Sequence, residues 1–239
     1  MIMLTTPTIT ERMQGVIDRW EAQEDRRAIF LTCYAEMTRN MIRAIDAGEF
    51  EDPVWVSALL YRFVDYYFDA LLAFECRNSA APVVWQYTFY AAQKSETNVL
   101  KNLLLGINSH ICYDLIYALV DLLQPEWRFL SPEMRALRHR DHTHVNEIIR
   151  QSVEAVQVAL VAKYQPILRF SERIFLHADE RIVYRVIGHW RQQVWEYAIG
   201  MINPQSHPDQ LYAQVEQDAM RRARAILGEN GIRGLLQMF

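Results

Sequence analysis

The stretch "LLLGINSHICYDLIYALVDLL", residues 103–123, puts apolar side chains on almost every face of a helix, yet carries Asn108, His110 and Asp114 in its middle. By the i, i+3, i+4 rule Leu103, Ile107, His110, Asp114, Tyr117 and Asp121 share one face, and leucine and isoleucine fill the others. A helix that is apolar all round is buried against neighbours on every side. This segment is therefore expected at the centre of the fold, within a helix near 96–123. A buried, unpaired carboxylate costs several kcal/mol or is neutralised by a shifted pKa. Asp114 must have partners. His110 is one turn away, and a polar residue from 138–147 on the next long helix is the expected second. Gly106, one turn before His110, costs about 1 kcal/mol relative to Ala in a helix. Its missing side chain leaves room for another backbone, a ligand or a metal.

Working outward, helix-start signals recur. Thr8 and Glu11 form a capping box, and Asp52-Pro53 and Ser131-Pro132-Glu133 place a cap residue before a proline at the first helical position. Apolar stripes at helical spacing run between them. Helices are expected near 8–23, 25–47, 52–77, 82–94, 96–123, 132–170, 177–201 and 208–227, with Pro166 kinking or ending the sixth. No stretch demands a strand. The loop 124–131 is short enough to make the helices on either side antiparallel neighbours. The 8 Gly and 8 Pro among 239 residues are about 3% each, against typical values of about 7% and 5%, which favours long helices over a turn-rich β fold. The expected fold is all-α, a single-domain multi-helix bundle over 1–239.

Composition limits the function classes. A net charge of −4 with 23% charged residues gives no basic excess for nucleic acid. Cys33, Cys76 and Cys112 are an odd count without a CxxC pair, which argues against a disulfide framework and for a reducing, cytoplasmic compartment. The amino terminus has no signal-peptide pattern. Asn108, His110 and Asp114 interrupt the most apolar run, so no stable membrane span is expected.

A second polar cluster, "RHRDHTHVNE" (138–147), offers Asp141, His142, His144, Asn146 and Glu147. A third, "YRFVDYYFDALLAFE" (61–75), has Asp65 and Asp69 at i, i+4. Arg191 is read as the counter-charge of a buried carboxylate. Three readings of these groups stand side by side. In the first, His110 and Asp114 belong to a structural hydrogen-bond network that fixes packing. In the second, facing helices build a metal site, with zinc as the first choice. His110, Asp114 and His144 are then ligands, Asp141 and Glu147 supply a further ligand or the catalytic base, and Asn108, Asn146 and Arg191 contact the bound molecule. In the third, His110 oriented by Asp114 is a general base without metal.

"LLLGINSHICYDL" followed by "RDHTHVNEII" resembles a bacterial all-helical family catalogued as domain of unknown function 5995. Gly106, Asn108, His110, Ile111, Asp114 and Leu115 match a G-x-N-x-H-I-x-x-D-L signature, and Asp141 and Asn146 match a pair on the following helix. "FEDPVWVSALLYRFVDYYFDAL" (50–71) also looks like that family, so the resemblance covers most of residues 10–200. It implies a helical fold and no particular activity. Gly106, His110 and Asp114 are also similar to the G-x-x-x-H-x-x-x-D helix of zinc-dependent phospholipases C and nucleases, whose His and Asp bind metal. Asp65 and Asp69, with Asn146 and Glu154, resemble parts of the two metal motifs of class I terpene synthases, although Arg150 stands where Ser or Thr is usual.

The functional expectation is a soluble metal-dependent enzyme, a hydrolase acting on a small molecule, with its site between the 96–123 and 132–170 helices. The alternatives are a non-enzymatic helical protein that binds a small apolar ligand or a partner, and a terpene synthase-like enzyme. A homodimer is compatible with the amphipathic ends.

Overall fold

The computed structural model describes residues 8–77, 80–164, 180–203, 205 and 207–228. It is all-α, with no strand among the described residues. The helices are α1 (Ile9–Ala22), α2 (Ala28–Asp46), α3 (Pro53–Glu75), α4 (Val83–Ala92), α5 (Val99–Ser109), α6 (Leu115–Glu126), α7 (Pro132–Tyr164), α8 (Glu180–Ile202) and α9 (Pro208–Leu227). A single π-helical turn, His110–Asp114, joins α5 to α6 into one central rod. The expected effect of Pro166, the course of 165–170 and the helix start near 177 lie outside the described residues.

The local signals act as their chemistry requires. The Thr8 hydroxyl accepts from Glu11 N while the Glu11 carboxylate accepts from Thr8 N, closing the capping box. The Asp52 carboxylate accepts from Trp55 N at the start of α3, and Ser131 Oγ accepts from Met134 N at the start of α7. The central rod begins at Val99, three residues later than the apolar pattern suggests, because the Asn98 side chain caps it by accepting from Lys101 N.

The rod is enclosed. α5 packs on α2, α4 and α9, and α6 packs on α3 and α8. By length and composition Val99–Phe129 could cross a membrane, but 72% of its most apolar window is buried against the rest of the protein. The two helices flanking loop 124–131 are not close packing partners. α7 lies mainly on α2 and α8, and much of the space between α7 and the rod is a cavity. The expected loop 124–131 is mostly helical, since α6 runs to Glu126 and a 3-10 turn spans Trp127–Phe129.

Candidate functional site

Asp114 and His110 lie at the heart of the rod, 1% and 2% exposed. His110 Nδ1 is 2.9 Å from Asp114 Oδ2, and Trp85 Nε1 of α4 donates to both carboxylate oxygens at 2.9 Å. Trp85 has no exposed surface, so its N–H must find an acceptor inside the protein. The second partner of Asp114 is thus this indole, not a polar residue of 138–147. α4 packs directly on the rod and α7 does not. Burial raises the Asp114 carboxyl well above its usual range, against the opposing bond from Trp85. Burial also pushes His110 well below its usual value. The two directions together describe a buried pair without net charge.

Aromatic rings hold the imidazole in place. Phe63 stacks on it with centroids 3.5 Å apart and planes 8° apart, and Tyr34 meets it edge-on at 4.2 Å. Its Nε2 has no hydrogen-bond partner. The π turn that carries both residues is a form of helix often found at functional sites. The room left by Gly106 is taken by Phe30 of α2: a Cβ there would stand 2.2 Å from Phe30 Cγ and 2.7 Å from Phe30 Cβ. Asn108, fully buried, donates from Nδ2 to Ala219 O at 2.9 Å and ties the rod to α9.

The 138–147 cluster serves other contacts. The buried Asp141 carboxylate accepts from Glu51 N at 2.9 Å and Asp52 N at 2.8 Å, fixing the chain entering α3. Arg138 joins Asp52 to Glu126. His144 is half-buried, 3.8 Å from Glu49 and edge-on to Phe50. Glu147 pairs with Arg150 and Gln151, which hold its carboxyl down at about 2. None of Asp141, His144 and Glu147 bonds to His110 or Asp114. Among the described residues, no group of three or more His, Cys, Asp or Glu is placed to hold a metal ion. Asp65 and Asp69 lie on the exposed face of α3. The Glu154 side chain is outside the described residues.

The structure does bring Arg191, Asn146 and His142 together. Arg191 Nε donates to Asn146 Oδ1 at 2.8 Å, and Nη2 donates to His142 O at 2.8 Å and approaches His142 Nδ1 at 3.4 Å. His142 Nε2 is 3.1 Å from Arg191 O. A carbonyl can only accept, so Nε2 carries the proton and Nδ1 is the acceptor. Burial, and then the Arg191 charge, push the His142 pKa well below its usual value. Arg191 is 4% exposed, and among the described residues its acceptors are all neutral and none is the expected buried carboxylate. Burial alone lowers its pKa to about 9.

A cavity of about 220 Å³ lies between the rod and α7, lined on its other sides by α2, α3 and α8. Its wall is nearly all hydrocarbon, including Met37, Leu60, Leu103, Ile149 and Val186, and both His110 and Arg191 line it. The sequence pattern missed Trp85, Tyr34, Phe63 and the cavity itself. A findable signal did exist for Trp85: a buried indole lacking an acceptor and a buried carboxylate lacking a donor complete one another.

No curated protein and no solved structure matches this chain. Residues 7–229 match the model described as "Family of unknown function (DUF5995)", and the chain belongs to that family.

Proposed function

We propose that the protein binds a small, mainly apolar molecule in the cavity between the central rod and α7. The observation that carries this reading is the cavity: about 220 Å³, walled by apolar side chains from five helical segments. Natural interiors are close-packed, and voids of this size inside hydrocarbon are few. The His110–Asp114–Trp85 network then acts structurally, fixing one wall, and the rings of Phe63 and Tyr34 cover the imidazole. Three unpaired thiols, two of them buried, fit a reducing cytoplasm.

Isothermal titration with 1-decanol tests the reading. Saturable binding at one site per chain is expected, and Ile149→Phe, which fills the cavity from α7, should abolish it. Absence of saturable binding by any ten-carbon probe, or binding indifferent to Ile149→Phe, would overturn it.

One observation favours a second reading, the metal-dependent hydrolase. A histidine oriented by a carboxylate through Nδ1, with Nε2 unpartnered, is how proteins commonly present a metal ligand or a base. Stoichiometric zinc in the purified chain, lost in His110→Ala, would support it. Sub-stoichiometric metal unchanged by that substitution would sink it.

A further inference from the structure

We propose that the cavity ligand is an acid: a hydrocarbon body ending in a single carboxylate that sits against Arg191. The inference rests on the ligand-binding reading and specifies its head group. Arg191 lines the cavity and is almost wholly buried. A guanidinium has five N–H donors. Nε–H is taken by Asn146 Oδ1, and the two Nη2 protons point to His142 O and His142 Nδ1. Among the described residues Nη1 has no hydrogen-bond partner, and the acceptors used by the other nitrogens are uncharged.

Among the described residues, the surroundings do not supply the missing negative charge. His142 is neutral for the reasons given, and the His110–Asp114 pair is closed on itself and on Trp85. The titratable residues that share the cavity wall are Cys33, Tyr34 and His110. Burial raises the Cys33 thiol to about 12 and the Tyr34 phenol well above its usual value, so both stay protonated. The wall therefore carries one uncompensated positive charge in hydrocarbon. A buried cation of this kind is costly unless an anion meets it. One carboxylate matches one guanidinium in charge and in planar geometry. An alcohol or an alkane leaves the charge unpaired. A phosphate monoester brings nearly two negative charges to one positive group.

The test is a ligand ladder on the intact chain by isothermal titration at pH 7.5: decanoate, methyl decanoate, 1-decanol and acetate. Decanoate should bind one site about 10-fold or more tighter than the ester and the alcohol, as expected for a charge-assisted hydrogen bond in a dry site. Acetate should show no saturable binding, since it lacks the body that fills the cavity. Arg191→Gln should remove the preference for decanoate over the alcohol, and Ile149→Phe should remove decanoate binding. If ester, alcohol and acid bind alike, the head-group inference is wrong while the cavity reading stands. If none of the three ten-carbon probes binds, both are wrong. The wild-type ladder decides between these outcomes even if Arg191→Gln does not fold.

Discussion

Alanine at Gly106 should destabilise the protein, and alanine at Gly15 should stabilise it. Both glycines lie inside helices, α5 and α1. Replacing Gly by Ala in a helix gains up to about 1 kcal/mol from backbone entropy and helix propensity. At Gly15, which is exposed, an added Cβ meets nothing within 4 Å, so the whole gain should appear. At Gly106 the new Cβ would stand 2.2, 2.3 and 2.7 Å from Cγ, Cδ2 and Cβ of Phe30. A ring can swing aside, but a Cβ is fixed to its backbone, so α2 itself must move away from the rod. Overpacking of this kind costs typically 1–3 kcal/mol, sometimes more, and here the upper end applies because the backbone is involved. The net loss after the propensity gain is about 1–2 kcal/mol. In a chain of this length about 1 kcal/mol moves Tm by roughly 2–4 °C. Differential scanning calorimetry should therefore show Gly106→Ala lower than wild type by about 2–8 °C and Gly15→Ala higher by about 2–4 °C. Gly106→Ala should also weaken 1-decanol binding, because Phe30 is part of the cavity wall. Equal rises in Tm for both substitutions would refute the claim that Gly106 exists to admit Phe30.

Asp141→Ala should cost about 2–4 kcal/mol in urea denaturation, because two part-buried backbone N–H groups, of Glu51 and Asp52, lose their charged acceptor; a loss under about 0.5 kcal/mol would show that water replaces it. Asp114→Asn should be tolerated better than Asp114→Ala, since an amide oxygen still accepts from Trp85 Nε1 and the amide nitrogen can donate to His110 Nδ1; equal damage from both would mean that the negative charge is what matters, as in a metal site. His142 has a folded pKa well below its usual value, so the unfolded chain takes up the proton first. Its contribution is complete above about pH 6.5 and is lost as the pH falls, by about 1.4 kcal/mol between pH 7.5 and 5.5. Urea midpoints across that range should show this decline, flattened in His142→Asn, and an equally steep decline in the variant would assign it to other groups.

The helices, their caps and the burial of the central polar residues are legible in the sequence because each follows from neighbours within four positions. Thr8 with Glu11, Asp52 before Pro53 and Ser131 before Pro132 all act within one turn, and the His110–Asp114 pair closes on itself at i, i+4. What the pattern cannot carry is which helix faces which. Asp114 finds Trp85, 29 positions earlier, because α4 rather than α7 packs on the rod. Asp141 turns toward the backbone of Glu51 and Asp52 for the same reason. The π turn inserts extra backbone between His110 and Asp114 and leaves no mark in residue type. Arg191 reads as the partner of a carboxylate in the sequence, because that is what a buried arginine ordinarily requires, and in the fold its acceptors among the described residues are neutral.

That missing partner and the empty space beside it have the same remedy. A hydrocarbon-lined space of about 220 Å³ leaves its wall without the packing contacts of a filled core. The lowered pKa of Arg191, about 9 against an ordinary 12.5, corresponds to a further penalty on the order of several kcal/mol at neutral pH, where the group is charged in both folded and unfolded chains. Domains are stable by only about 5–15 kcal/mol in total. A sequence selected for stability alone could remove both costs with a few larger apolar side chains and a methionine at position 191, since apolar replacement of buried charge is often neutral or stabilising. Instead the fold holds the guanidinium rigidly through Asn146 and His142, keeps His142 neutral beside it, and leaves Nη1 unspent at the edge of a hydrocarbon-lined space. A molecule with an apolar body and one anionic end relieves both costs in a single binding event, and the rigidity of the Arg191 network means that little side-chain entropy is lost when it arrives.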